Sequence, residues 1–223
     1  KRDISLARLK LEMSKFGIDR ALTISVKGIF YDHILGNDET KEVCSRDPKF
    51  IPTLTIDPRR SVDYDKEIEK RKLEGFKILR LFPEYQGFTI RSCHVRRIAA
   101  KAMENDLPLM ISAKDGITSV LDLLREFRKL RTILTGVSYF GLAELLVAME
   151  ECDNLFVETR LLDSVDGINI IVEKFCAERL VFGSGAPLGY IGSSLNLIKY
   201  AQISEAEKET ILAGSIRKLM GGD

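Results

Sequence analysis

Short apolar runs alternate with amphipathic stretches along this chain, and that alternation limits its fold more than any other feature. Residues 18–25, 50–57, 76–83, 107–113, 131–139, 154–162 and 179–185 each read as a strand. Between and around them lie segments with apolar residues at helical spacing: 4–16, a short one near 37–46, then 62–75, 92–106, 117–130, 142–152 and 166–178. Gly17 and Gly75 follow two of these segments as a C′ glycine would. A last helical region runs to about Met220, and within it Ser204 and Glu207 spell a capping box, S-x-x-E. The strand runs are almost continuously apolar, as expected of strands buried on both faces of a parallel sheet.

Strands alternating with helices in this way predict parallel βαβ units. The reading gives seven strands, and the chain opens on a helix. The expected fold is α/β, a (β/α)8 TIM barrel formed as one domain over residues 1–223, with strand 1 upstream of or missing from this chain. A doubly wound open sheet is the competing architecture. A length of 223 residues suits a single barrel.

Charge excludes several functions. The formal net charge is +1, with no basic patch interleaved with aromatics, so neither a nucleic-acid partner nor an anionic membrane is expected. No apolar run approaches the ~18 residues of a membrane span. Cys44, Cys93, Cys152 and Cys176 are widely spaced, without C-x-x-C, and read as reduced, mostly buried thiols of a cytoplasmic protein.

In such barrels the reactive face lies at the C-terminal ends of the strands. The polar residues there are Ser25, Lys27, Asp57, Arg80, Lys114, Asp115, Ser138, Tyr139, Glu158, Arg160 and Ser184. Arg80 sits in "ILRLF" and must either point into the barrel mouth or pair with a carboxylate. With Glu158 it reads as a buried structural ion pair, or as an anion clamp for a carboxylated substrate. Asp32 and His33 in "YDHILGN" fall in the loop after the first strand read here, as an acid–base pair or as plain loop residues. His94 reads as a histidine on the outside of the barrel. Tyr85 and Phe88 in "FPEYQGF" could wall a pocket or meet a neighbouring subunit. Gly183 and Gly185 in "VFGSGAPLG" would let a ligand or loop approach the backbone closely.

Several stretches taken together resemble the amidohydrolase superfamily, in its amidohydrolase 2 branch of TIM-barrel hydrolases and decarboxylases. They are "MSKFGIDRALTIS", "GNDETKEVCSRDPKFIPTLTIDP", "LEGFKILRLFP", "CDNLFVETRLL", "AERLVFGSGAP" and "ETILAGSIRKLMG", in the family's order and spacing. The resemblance implies a metal that activates water and an aspartate, at the end of the last strand, that takes the proton. This chain departs at each metal-site position that can be compared. The His-x-His strand lies outside it. "ISAKDG" and "TGVSY" lack the family's histidines. Gly185 stands where the aspartate would be, and Ser215 replaces the asparagine of the final helix.

Glycine can neither bind a cation nor accept a proton. The expectation is therefore no metal ligand in this chain, and zinc only if residues upstream of Lys1 supply its ligands. Lys114, where the family has histidine, would be a general base or would polarise a carbonyl if desolvated. The candidate set is Lys114, Asp32 and His33 for catalysis, and Arg80, Glu158, Arg160, Ser184 and Gly185 for substrate. The expected function is an amidohydrolase-like hydrolase, or related decarboxylase, acting on a small carboxylated substrate. The alternative is an inactive barrel that binds a ligand or serves in assembly. A homodimer is expected on general grounds.

Overall fold

The computed structural model describes residues 3–60 and 63–222. Seven parallel strands form one sheet in chain order: β1 (Ala21–Thr23), β2 (Phe50–Thr55), β3 (Ile78–Arg80), β4 (Leu109–Ser112), β5 (Thr132–Thr135), β6 (Leu155–Glu158) and β7 (Leu180–Val181), with β1 and β7 at its edges. Helices return the chain between them: α1 (Leu6–Lys15), α2 (Val26–Phe30), α3 (His33–Arg46), α4 (Tyr64–Leu73), α5 (Pro83–Gln86), α6 (Cys93–Glu104), α7 (Ile117–Glu126), α8 (Leu142–Glu151), α9 (Gly167–Lys174) and α10 (Ile191–Lys199). α11 (Glu205–Glu209) and α12 (Ser215–Leu219) are joined by a π turn over Thr210–Gly214. The helix read over 62–75 appears as α4; its first residue, Val62, lies outside the described residues.

The ladder covers only the middle of each apolar run, and local chemistry explains the ends. Pro83 has no N–H to donate and opens α5. Gly136 turns to φ +79° directly after β5. The Glu158 carboxylate accepts the Arg160 backbone N–H at 3.0 Å, which starts a 3-10 turn over Thr159–Leu161. Ser25 accepts the Lys27 N–H and begins α2, inside a stretch that reads as a polar loop. At the far end, the Ser204–Glu207 capping box forms in full.

Side chains that alternate along the strands divide the interior in two. Ile78, Met110, Ile133, Phe156 and Val181 face inward and pack with Ile216, Leu219 and Met220, so α12 plugs the sheet. Arg131, just before β5, donates to the Leu219 carbonyl at 2.8 Å, which sets that plug at the N-terminal end of the strands. The outward residues pack under the helices in the larger core. One step beyond the plug along β3 to β7 lie Arg80, Ser112, Thr135, Glu158 and Gly183. The polar layer is thus what period two dictates above an apolar one.

The four cysteines are unpaired thiols, but only Cys152 is buried; Cys93 and Cys176 are exposed. The expectation that they are mostly buried fails because Cys93 opens α6 and Cys176 precedes a 3-10 turn. No described helix is long and apolar enough to cross a membrane.

Candidate active site

The barrel mouth holds two guanidinium groups around the Glu158 carboxyl, with the Glu84 carboxylate beside Arg80. Arg80 is half-buried, stacked on the Phe82 ring at 4.7 Å, and among the described residues its guanidinium makes no hydrogen bond and no ion pair. Burial pushes it below its ordinary value, opposed by the charges of Glu158 and Glu84. Glu158 is 7% exposed. Burial raises its carboxyl above the ordinary range, against the pull of Arg160 and Arg80. Its close charged partner is Arg160, at 3.9 Å between Oε2 and Nε. The buried Arg80–Glu158 ion pair is therefore not formed; the two interact only through space.

Two glycines make room for this arrangement. A Cβ on Gly183 would land on the Glu158 carboxylate. A Cβ on Gly185, whose φ is +60°, would sit 2.5 Å from Arg160 Nη1 and 2.9 Å from its Cδ. Glu158 at the end of β6 and Arg160 in the turn after it thus fill the slots that side chains at 183 and 185 would occupy. That is the structural meaning of "VFGSGAPLG", and a tight turn alone would not require it.

The other predicted residues scatter. Lys114 is exposed and donates to the Pro83 carbonyl at 3.2 Å, tying the loop after β4 to α5. Ser184 accepts the Ala186 N–H at 3.3 Å inside its own turn. Asp57 is bound by Arg59, and Asp115 accepts the Ile90 N–H at 2.8 Å. His94 sits on α6 against Tyr64, on the helical layer outside the sheet. Glu84 was not singled out in the sequence. It belongs to the mouth, accepting from Ser112 Oγ at 2.6 Å, and its signal was a carboxylate four residues past the strand arginine.

Asp32 and His33 are not loop residues. Asp32 caps α3 by accepting the Leu35 N–H at 2.9 Å, and His33 is the first residue of that helix. The His33 ring is 3% exposed, and neither nitrogen has a partner. Burial lowers its pKa, while Glu67, Asp32 and Asp57 oppose the shift.

The unfolded chain binds the His33 proton more readily than the folded one, so stability falls as pH drops below about 6.5 toward the lowered folded value. The slope from one such proton is at most about 1.36 kcal/mol per pH unit. His33→Leu should remove it. Urea melts of both proteins between about pH 7 and pH 5 test this, and parallel pH profiles would refute it.

The donor set at the mouth does not suit a divalent cation. Of the β3–β7 positions one step above the plug, Ser112, Thr135 and Gly183 offer no carboxylate, Glu158 faces two guanidiniums, and Glu84 is held by Ser112 beside Arg80. Among the described residues no three His, Cys, Asp or Glu side chains converge as a metal-holding group.

A parallel β/α sheet curled around an apolar plug, with its polar ring at the strands' C-terminal ends, defines a protein of the TIM-barrel class. The amidohydrolase family model matches residues 8–221, and the chain belongs to that family. Its fold is similar to an uncharacterised TIM-barrel protein from Bordetella bronchiseptica, with TM-score 0.78, 18% identity, and coverage of 97% of this chain and 83% of that one. It is similar also to 5-carboxyvanillate decarboxylase from Sphingomonas paucimobilis, with TM-score 0.78, 15% identity, and coverage of 99% and 84%. A third similar structure is a dihydroxybenzoic acid decarboxylase from Polaromonas sp. JS666 with bound manganese and an inhibitor, with TM-score 0.75, 15% identity, and coverage of 98% and 86%. No curated protein sequence matches the chain.

Proposed function

We propose that the barrel mouth binds a small carboxylated substrate on Arg80, and that its chemistry is that of a hydrolase or decarboxylase in which Glu158 carries the proton. The observation that carries this reading is the Arg80 guanidinium, half-buried at the mouth and without a hydrogen bond among the described residues. A guanidinium at a barrel mouth with no protein acceptor is free to take a carboxylate in bidentate fashion. The names of the similar decarboxylases agree with a carboxylate-bearing substrate.

Burial holds the Glu158 carboxyl above its ordinary range, so it keeps a proton at higher pH than an exposed glutamate would. A protonated carboxyl next to a bound anion can donate that proton as charge develops, and Arg160 stabilises the carboxylate left behind. The pair replaces, in part, what a cation and an aspartate supply together. A second reading is a barrel that binds its ligand without turnover. It is favoured by the crowding of Glu158 and Arg160 over Gly183 and Gly185, which fills the space beside the end of β7.

Calorimetric titration with benzoate and with butyrate tests the anchor. Arg80→Gln is expected to weaken binding at least tenfold, about 1.4 kcal/mol, with the fold intact by circular dichroism. Equal affinity in the two proteins would sink the reading. Incubation of the bound acid followed by product analysis separates the two versions: product that disappears in Glu158→Gln supports turnover, and binding without product supports the second.

A further inference from the structure

At the end of the barrel opposite the mouth lies a cleft of about 520 Å³, between the turn after α7 and the C-terminal end of α8. That volume suits a small molecule. Arg131 and Asn154, which lead into β5 and β6, line it together with Arg125, Arg128, Cys152 and Phe156. None of these residues belongs to the mouth.

The cations of the cleft are not equivalent. Arg125 is committed to carboxylates, with Nη2 2.7 Å from Glu151 and Nη1 3.2 Å from Asp122. Arg131 donates to the Leu219 carbonyl and pairs with Asp106. Arg128 is exposed, and among the described residues its guanidinium makes no hydrogen bond and no ion pair. The two acids of the wall are matched elsewhere: Glu151 by Arg125, and Asp153 by Arg179 at 3.9 Å. One positive charge is therefore left without a counter-charge. It points at the cleft, because it is felt at the buried Cys152 thiol in the wall.

An independent observation comes from the plug. Of its five strand residues, Ile78, Met110, Ile133 and Val181 are buried, and only Phe156 stays partly exposed. Phe156 is also the one of the five that lines the cleft, beside Leu124 and Cys152. An apolar surface that a sealed plug would cover thus lies open next to the unmatched guanidinium. The walls are fixed by their own bonds: Asn154 Nδ2 donates to the Leu130 carbonyl at 2.6 Å, and Arg131 is anchored on the plug. Little ordering is left for a ligand to impose.

We infer that this cleft is a second binding site, separate from the mouth, for a small acid with one oxyanion group and an apolar body. The oxyanion sits on Arg128, which can take it in bidentate fashion. The apolar body covers Phe156 and Leu124, removing their surface from water. A ligand with several anionic groups does not fit, because the other lining cations already hold carboxylates.

The test is calorimetric titration with phenyl phosphate, and with methyl phosphate and benzyl alcohol as ligands that lack the ring or the charge. The unaltered protein is expected to bind phenyl phosphate about tenfold or more tightly than either. Arg128→Gln is expected to weaken phenyl phosphate by about tenfold or more. Arg80→Gln, which alters the mouth, is expected to leave its affinity unchanged. Arg128 is exposed and bonded to nothing among the described residues, so its variant is expected to fold, which circular dichroism checks.

Absence of phenyl phosphate binding, or equal affinity in Arg128→Gln, would overturn the inference. Methyl phosphate binding as tightly as phenyl phosphate would overturn it in favour of a bare anion site. Loss of phenyl phosphate binding in Arg80→Gln but not in Arg128→Gln would place the ligand at the mouth and overturn it too. None of these outcomes bears on carboxylate binding at Arg80, which is tested separately.

Discussion

Arg71→Ala is expected to destabilise the fold by about 3–5 kcal/mol, the largest loss predicted for any single side chain here. Arg71 is 0% exposed, yet its guanidinium reaches three carboxylates: Glu67 at 2.7 Å, Glu74 at 2.9 Å and Asp38 at 2.6 Å. Burial works against its charge, but Glu67 and Asp38 outweigh it and hold the guanidinium above its ordinary value. Glu67 is itself buried and receives Asn37 Nδ2 at 3.0 Å. That asparagine also donates to the Thr55 carbonyl and accepts the Thr55 N–H. The network therefore binds α4 and α3 to the end of β2, whose Thr55 is in register with Arg80.

Removing the arginine strands the Glu67 charge in a buried place, which costs more than the pair contributed. Denaturant melts of Arg71→Ala, Glu67→Leu and the double variant measure the coupling. The double variant should recover much of the loss, because no buried charge is left unpaired. A loss below about 1 kcal/mol in Arg71→Ala would mean that water reaches the cluster and that Glu67 is not dependent on it.

Much of this fold could be read in the chain, because parallel strands buried on both faces write themselves as unbroken apolar runs. The same rule made Arg80 and Glu158 conspicuous: a charge within such a run must answer to something at the mouth. The pattern fixes which ring of the barrel a side chain joins. It does not fix where the tip goes. So Arg80 and Glu158 were assigned correctly to one ring, yet their direct pairing fails, because Glu158 is drawn onto the Gly183 backbone and the Arg160 N–H.

Gly185 was legible as a departure from the family's aspartate but not as a slot for Arg160, since the occupant comes from a different strand. Asp32 and His33 read as loop residues although an aspartate three residues ahead of the backbone N–H it accepts is an N-cap signal, and α2 is hidden because five residues give too short a period to detect. Strand ends were overextended wherever a proline, a glycine or a capping carboxylate turned the backbone before the apolar run stopped.

Gly36→Ala should be the second most damaging of the predicted changes, and the reason lies in how closely two helices cross. α2 and α3 meet at Gly28 and Gly36. A Cβ on Gly36 would overlap the Gly28 Cα and N, which are backbone and cannot swing aside. On Gly28 the added carbon would meet the Thr55 methyl at 2.9 Å and the Gly36 Cα at 3.4 Å, a tight fit that a side-chain shift relieves in part. Overpacking of the first kind costs up to about 3 kcal/mol, from which alanine's better helix propensity returns up to about 1 kcal/mol. The net loss expected for Gly36→Ala is about 2 kcal/mol, and clearly less for Gly28→Ala.

The consequence extends to the mouth. α2 is tied to α5 by Gln86 Nε2 donating to the Ile29 carbonyl at 3.3 Å and by the edge contact of Phe30 with Tyr85 at 5.4 Å. α5 carries Glu84, the carboxylate that Ser112 holds beside Arg80. Parting α2 from α3 therefore moves the lip of the site, and Gly36→Ala should weaken carboxylate binding as well as the fold, whereas Arg71→Ala acts from the opposite side of α3 through β2. Thermal melts and titrations of the two alanine variants decide the matter. If Gly28→Ala is the more damaging of the two, the helices have room to separate at Gly36, and the crossing does not set the position of the lip.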